Sequence, residues 1–478
     1  MNRLPRVGRW LAPLAAATLT ACAGAPPQTP AAAPTPPSAW QAPLPAATSG
    51  QDPVGWWAQF NEPQLPALVE AALQASPTLA TARARVERAR AARAAAGAAA
   101  APLVNAVGVA SSGRTIPGTP TATSLSLGAQ AAWELDLFGA VAAGRTAAQA
   151  RLQAAEAGLQ GVRTSVAAEV ASSVLALRAC EAQGAQTRVD AASREQTAQL
   201  TEQSARAGFT APADAALARA GAAQARSQWL SLQAQCDTLV KSLVELTDLP
   251  EPLLRQRLAG NTARLPQPAP LSVDALPAQL LARRPDLTDA AQAVVAAAAD
   301  RDQSRAREGL QVTLSGSLAA ASLRTGGVTT NGSTWSLGPL QVTFPLFDGG
   351  ARAANTAAAQ AGYDEAVAQY RAQVRRAVRE VETALVALDA TAQRGVDAQA
   401  AARDFEASLR ATEARQKGGL ASLFDLEAAR RNAVQAQIAL IELQRERVAA
   451  WIDLYRALGG GWQAPSPAAA TTTAQAQP

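Results

Sequence analysis

The sequence contains no histidine. That absence removes His general bases, Ser-His-Asp triads and His metal sites together. Aromatic residues are scarce, at 4 %, although 48 % of the chain is hydrophobic. A single bulky globular core is therefore not expected; an Ala-rich background with Gln, Arg and Glu instead favours long, closely packed helices. No phosphate-binding loop is present, and the cysteines Cys22, Cys180 and Cys236 do not form a spaced cluster. The apolar run Trp10 to Leu19 is too short to cross a bilayer as a helix, which takes about 20 residues. Charge is also lacking. The formal +5 falls to +2 once Arg3, Arg6 and Arg9 are set aside as part of a removable segment, too little to argue for nucleic acid. No metal, cofactor or enzymatic chemistry is expected.

What is present begins at the N-terminus. Arg3, Arg6 and Arg9 precede the apolar run, which ends in Leu19-Thr20-Ala21-Cys22. A basic start, a short apolar stretch and small residues before a cut make a secretory signal over residues 1–21. Leu-Thr-Ala-Cys also resembles the lipobox of bacterial lipoproteins, which implies acylation of the Cys22 sulfur; by that resemblance Ala23 fits sorting to the outer membrane. The alternative is an ordinary cleaved signal with an incidental cysteine. Residues 22–55, rich in Pro, Ala and Thr at first, are expected to be the lipid anchor and a flexible tether without a core of its own.

The remainder is written twice. Ser76-Pro77-Thr78-Leu79 matches Arg284-Pro285-Asp286-Leu287, Leu137-Phe138-Gly139 matches Leu346-Phe347-Asp348-Gly349, and Gly208-Phe209 with Asp214 matches Gly419-Leu420 with Asp425. The offset stays near about 210 residues throughout. Two repeats follow, 56–250 and 278–462, joined by a Pro- and Leu-rich linker 251–277; a tail, 463–478, of Ala, Thr and Pro is expected to be disordered.

Within each repeat the order reads helix, strand, strand, long helix, turn, long helix. In Ser124–Leu135 the odd positions Leu125, Leu127, Ala129, Ala131, Trp133 and Leu135 are apolar, whereas Ser124, Ser126, Gln130 and Glu134 are not. Between 310 and 318 the even positions are apolar. Leu103–Ser111 is weaker, with Val107 and Val109 on one face, and Thr334–Phe347 shifts phase at Pro339. Segments of about ten alternating residues suit tilted membrane strands around a water-filled barrel. A soluble sandwich would alternate equally well, but long helices between the strands have nowhere on a sandwich to pack. Four strands cannot close around a pore, and an open edge in lipid costs several kcal/mol for each unpaired backbone group. Several copies must share one barrel, in a number the physics does not fix.

The helices carry heptad seams: Val162, Val166, Val170, Ser173, Leu177 and Cys180 going out, and Trp229, Leu232, Cys236, Leu239, Leu243 and Leu246 returning. The second repeat has Val367, Tyr370, Val374, Ala377, Val381, Ala384 and Leu388, then Ile438, Ile441, Val448, Ile452 and Tyr455, interrupted by Arg445. A helix from about Ala142 to Ala207 would extend roughly 100 Å. Gly208 lies midway between Cys180 and Cys236, so an antiparallel hairpin turning there sets the two side by side. In an oxidising periplasm a disulfide is expected, the alternative being two unpaired buried thiols.

Several motifs in order now carry a family likeness: Trp56-Trp57-Ala58-Gln59-Phe60, Leu65 to Ala89, Trp133-Glu134-Leu135-Asp136-Leu137-Phe138-Gly139, Arg283-Arg284-Pro285-Asp286-Leu287, Pro345-Leu346-Phe347-Asp348-Gly349-Gly350 and Tyr455 to Trp462. They resemble the outer-membrane efflux lipoproteins, the lipidated branch of the TolC-like channels. The resemblance implies a membrane β-barrel plus a long α-helical coiled-coil barrel, two tandem repeats per chain, and four strands per chain in a shared trimeric twelve-stranded barrel. It implies a homotrimer in the outer membrane with a long periplasmic extension, working with a periplasmic adaptor protein and a proton-driven inner-membrane transporter. Gly208, Phe209, Gly419, Leu420 and Ser422 fall where the family meets its adaptor, although glycine also simply ends helices. Aligned on Gly419, the family's apolar gate position is Phe424 and its basic one Arg431, but its aspartate position is Ala428. Asp425, Glu427 and Asp214 remain as substitute carboxylates, and solvated charges on a helix face remain the plainer reading. The expected function is passive export through an outer-membrane exit channel; the rivals are a duct for protein secretion and a structural envelope-spanning lipoprotein.

Overall fold

The computed structural model of the chain describes residues 37–45, 56–114, 116–268 and 283–460. The signal segment, Cys22 and the tail lie outside the described residues. After a 3-10 turn at Trp56–Gln59 the elements are α1 (Leu65–Ala75), α2 (Pro77–Ala98), β1 (Leu103–Gly113), β2 (Ala122–Leu135), α3 (Ala140–Arg206), α4 (Pro212–Thr247), α5 (Glu251–Leu258), α6 (Pro285–Ala306), β3 (Gln311–Thr325), β4 (Val328–Thr343), α7 (Ala351–Lys417) and α8 (Leu423–Ala457). Helix, strand, strand, long helix and returning helix thus occur twice, and α3 and α7 have 67 residues each. At 1.5 Å per residue that is about 100 Å of helix. No described helix is long and apolar enough to cross a membrane.

The compact units are not the repeats. One includes Glu87–Ala154 and Ala290–Tyr370; the other includes Pro34–Val86, Ala155–Asp289 and Arg371–Pro478. Each draws on both repeats because neither repeat buries its apolar surface alone.

The first unit holds one antiparallel sheet in the order β1-β2-β3-β4. Directly paired residues share a face. Leu125, Leu127, Ala129, Ala131, Trp133 and Leu135 pair with Ser322, Ala320, Leu318, Gly316, Leu314 and Val312, and these in turn meet Trp335, Leu337, Leu340 and Val342. One face is therefore apolar across three strands. The other carries Ser124, Ser126, Gln130 and Glu134, with Ser111 Oγ 2.7 Å from Ser124 Oγ and Ser317 Oγ 2.8 Å from Ser336 Oγ. Val107 and Val109 lie on this polar face, opposite Gly128 and Ser126. The phase shift at Pro339 has a structural cause: the register slips between Leu314 and Gly316 as their partners step from Leu340 to Leu337. The extra residue at Gly338-Pro339 forms a bulge that keeps Leu337 and Leu340 on the same face.

Both second-repeat strands differ from the alternation at their ends. β3 and β4 run on to a two-residue Gly326-Gly327 turn in the left-handed region, through Ala319-Ala320-Ala321 and Thr329-Thr330-Asn331, where small and polar residues leave no contrast to read. β4 stops at Thr343, short of Phe347, because Pro345 has no N–H for the ladder. The motifs after each hairpin then become intelligible. The Asp136 carboxylate accepts from Val141 N and Ala142 N at 3.0 and 2.8 Å, and that of Asp348 from Gly350 N and Arg352 N at 2.9 and 3.1 Å. Each caps the first turn of a long helix, where free N–H groups favour an anion.

The core of the second unit is aromatic at its centre. Trp56 packs edge-on to Phe60 at 4.6 Å and stacks on Tyr455 at 4.9 Å. Val166, Val170 and Leu177 of α3, Leu243 of α4, Val381, Ala384 and Leu388 of α7, and Val448 and Ile452 of α8 join the same cluster, as the seams require. Residues 37–45 correct the expectation of a tether without a core. Trp40 and Ala42 are buried in that cluster, and Gln41 N and Ala42 N donate to the Glu382 carboxylate at 2.7 and 2.9 Å. An indole gains enough from burial to dock a stretch that otherwise reads as linker.

Two buried arginines fasten this unit. Arg178 donates to Glu62 at 2.9 Å, to Glu181 at 3.0 Å and to Leu258 O at 2.8 Å. Arg284 grips Asp286 with two bonds, of 2.9 and 2.7 Å, and reaches Glu380 at 2.7 Å and Ala457 O at 2.8 Å. The Arg-Pro-Asp motif is thus a clamp on the end of α8. There Gly459, in the left-handed region, passes so close to Arg283 O that a Cβ would lie 2.5 Å from it.

Candidate functional site: the hairpin tips and the sheet

The two helical hairpins turn by the same device. Gly208 and Gly419 have φ of 81° and 74°, and the next residue donates back into the helix: Phe209 N to Ser204 O at 2.9 Å, Leu420 N to Arg415 O at 2.8 Å. A left-handed glycine with this bond closes the last turn and frees the following side chain. Phe209 is 87 % exposed and Leu420 73 %. Each tip therefore presents an apolar knob to water. Past the first knob, Ser204 Oγ meets Thr210 Oγ1 at 2.6 Å; past the second, Ser422 caps α8.

Asp425 and Glu427 are engaged within the chain. Asp425 completes the α8 capping box, its carboxylate accepting from Ser422 N at 3.0 Å and Ser422 Oγ at 2.8 Å, and these bonds hold its pKa below the usual carboxylate range. Glu427 faces α3, where Thr197 Oγ1 donates to it at 2.6 Å and Ser193 Oγ at 3.3 Å; Arg430 bridges Glu427 at 3.3 Å and Glu413 of α7 at 3.4 Å. Asp214 lies half-buried in the first turn of α4. Phe424, in the first turn of α8, is exposed, as is Arg431. Phe424 and Arg431 are thus exposed and unengaged by these bonds, whereas Asp425, also exposed, is committed to the α8 cap and Glu427 is half-buried against α3 of the other hairpin. Arg430, Ser193, Thr197 and Glu413 were not singled out in the sequence, where only the i,i+3 spacing of Glu427 and Arg430 hinted at them.

Cys180 and Cys236 are joined in a disulfide, with Cα atoms 5.6 Å apart, at the seam between α3 and α4. No group of three or more potential metal-binding side chains occurs among the described residues.

The sheet completes the geometry. Its outer strands, β1 and β4, each have one neighbour, and its apolar face is strongly exposed, with Leu125 at 59 %, Leu127 at 69 % and Leu337 at 82 %. A four-stranded sheet with a greasy face and open edges, in a chain with two helices of 67 residues, is the fold of outer-membrane channels in which a β-barrel continues into a helical barrel. The family model of the outer membrane efflux proteins matches residues 68–248 and 276–460. The chain belongs to that family and is an outer-membrane efflux channel. It is 30 % identical over 457 residues to the outer membrane protein OprJ of Pseudomonas aeruginosa, covering 94 % of this chain and 95 % of that protein. To the toluene efflux pump outer membrane protein TtgI of Pseudomonas putida it is 30 % identical over 420 residues, 84 % and 86 % of the two chains. The solved outer-membrane channel OprN superposes with a TM-score of 0.82 at 28 % identity, covering 92 % of this chain and 99 % of that one.

Proposed function

We propose that three copies of the chain form the exit duct of a tripartite efflux pump. The four-stranded sheet with two open edges carries this reading, because only neighbouring copies can satisfy those edges in lipid. Three copies give twelve strands. The polar face of Ser111, Ser124, Ser126 and Gln130 then lines water, and the leucine face meets lipid. Cys22 is acylated and anchors the mature N-terminus, while Trp40 docks the segment that follows it. The exposed knobs Phe209 and Leu420, with Gly208, Gly419 and Ser422, form the surface that a periplasmic adaptor covers.

A proton-driven inner-membrane transporter supplies the energy, and the duct conducts passively without enzymatic chemistry or a cofactor. Phe424 is the closing element: apolar side chains repeated about a narrow axis hold out water until the tips part. Arg431, two turns further along α8, and Asp214, in the first turn of α4, adjust the field near the tips, while Asp425 and Glu427 keep α8 in place. The chain's similarity to proteins named for toluene and pyoverdine export supports small-molecule cargo.

Deleting the gene and restoring it on a plasmid, with growth inhibition measured across dyes, detergents, antibiotics and metal salts, tests the reading. Sensitisation reversed by the restored copy is expected. Unchanged growth on every compound, in cells shown to make the protein and its pump partners, would contradict it.

A further inference from the structure

Two arginines in the unit that holds the sheet have no charged partner among the described residues. Arg93, near the end of α2, and Arg145, in the second turn of α3, make no hydrogen bond or ion pair among the described residues, yet both line one open groove of about 730 Å³. Arg90, Gln149, Gln153 and Gln292 line it too, and no carboxylate does. The adjacent Glu87 is paired with Arg90 along the helix, at 2.6 Å. Gly97 forms part of the wall, and a Cβ there would meet nothing within 4 Å. The groove is thus open, positive and lined by neutral amides.

The second repeat shows what the same level looks like when its cations are satisfied internally. Arg301 pairs with Asp302 at 2.8 Å and lies over the Tyr363 ring at 4.8 Å. Arg305 donates to Gln360 at 3.3 Å, and Arg352 donates to Arg307 O at 2.6 Å beside Asp348. Arg93 and Arg145 are both exposed, and two guanidiniums lining one groove without a carboxylate make it attractive to an anion. The chain supplies such partners in one repeat and withholds them in the other.

The height of the groove is informative. Arg93 lies five residues before the end of α2, and Arg145 five after the start of α3. Each is about 8 Å of helix from its terminus, from which only four residues lead to a strand. An arginine stem can span that distance toward the headgroup layer at the periplasmic end of the strands.

We propose that this groove binds a phosphate-bearing group, held in the planar, multi-donor manner of guanidinium on phosphate with the glutamine amides around it. Two sources share that chemistry: the headgroup of an anionic phospholipid in the inner leaflet, and a soluble phosphate compound. The inference rests on the outer-membrane placement of the chain.

Full-length protein purified in mild detergent is mixed with phosphatidylglycerol, phosphatidylcholine or inorganic pyrophosphate, and bound ligand is counted per protomer by native mass spectrometry. Wild type is expected to retain phosphatidylglycerol over phosphatidylcholine, with at least tenfold weaker retention in the Arg93→Gln/Arg145→Gln double variant. Retention of pyrophosphate alone, lost in the same variant, assigns the groove to a soluble compound. Gly97→Leu fills the groove without altering either charge, and it is expected to weaken binding similarly, which keeps the test open if the arginine variant fails to assemble. No binding of phosphatidylglycerol or pyrophosphate, retention of phosphatidylglycerol no better than that of phosphatidylcholine without pyrophosphate binding, or equal binding by wild type and both variants overturns the proposal. Conductance of the same preparation in a planar bilayer of phosphatidylcholine is read without phosphatidylglycerol or pyrophosphate, so it separates a failure of membrane placement from an empty groove.

Discussion

The guanidinium of Arg178 is completely buried and donates through Nε to the Glu62 carboxylate at 2.9 Å. Its other nitrogens reach Glu181 and the carbonyl of Leu258, and Glu181 also accepts from Ala263 N at 2.9 Å. One side chain on α3 thereby holds the segment before α1 and the end of α5. Removing one partner of such a pair leaves the others charged in a dry site, which costs about 3–5 kcal/mol. Arg178→Ala is expected to lose stability of that order, read from denaturant or thermal unfolding. Arg178→Met combined with Glu62→Gln should lose less than the two single changes added together, because the pair then disappears as a unit.

The disulfide makes a second prediction. Cys180 and Cys236 are 56 residues apart in sequence, and closing a loop of that size stabilises by about 4 kcal/mol in the chain-entropy model. Cys180→Ser with Cys236→Ser should lower the unfolding midpoint accordingly without changing the hairpin. Thiol alkylation of unfolded, non-reduced wild type should label neither cysteine.

Acid stability follows from the clamp at the end of α8. Burial would push the Asp286 carboxyl up, but the hydrogen bonds and charge of Arg284, aided by Gln373, hold it below its ordinary value. A carboxyl lowered in the folded state contributes stability that is present above its unfolded value, near about 4. That contribution is lost as the pH falls through the lowered value. Burial instead raises Asp289 and Asp453, which favours the folded state as they protonate on the way down from neutrality. The melting midpoint is therefore expected to change little between about pH 6 and 4 and to fall below that. Asp286→Asn should flatten the acid limb; an unchanged limb would assign acid loss to other carboxyls.

Gly128 gives a prediction inside the sheet. A Cβ there would collide with Leu318 O and lie 2.5 Å from Ala319 Cα, so β2 and β3 approach too closely for any side chain. Gly128→Val is expected to abolish the protease-resistant membrane form while leaving the helical content of the isolated chain largely intact. Circular dichroism beside a trypsin digest of the membrane fraction checks both parts.

What could be read in advance was periodic. Alternation placed the odd residues of β2 and the even residues of β3 on one face, and the 3.5-residue seam marked Val166, Val170, Leu177 and Leu243 as core. Sequence symmetry about Gly208 brought the two cysteines together. Features without a period stayed hidden. Trp40 is one aromatic in a Pro-rich stretch, and Arg178 and Glu62 meet across 116 positions. Val107 and Val109 alternate correctly yet line the polar face, since alternation alone cannot say which side a weakly contrasted strand turns. The role of Asp425 was within reach, because Ser422 three residues before an acidic residue is a capping box.

Each chain gives four strands to a barrel shared by three copies. Cysteine pairs placed along the two edge strands, one residue in β1 and one in β4, and oxidised in intact cells test it directly. Pairs are expected to cross-link between copies, in a ladder that stops at three. Cross-links confined to a single chain, or a ladder that continues without limit, would contradict it.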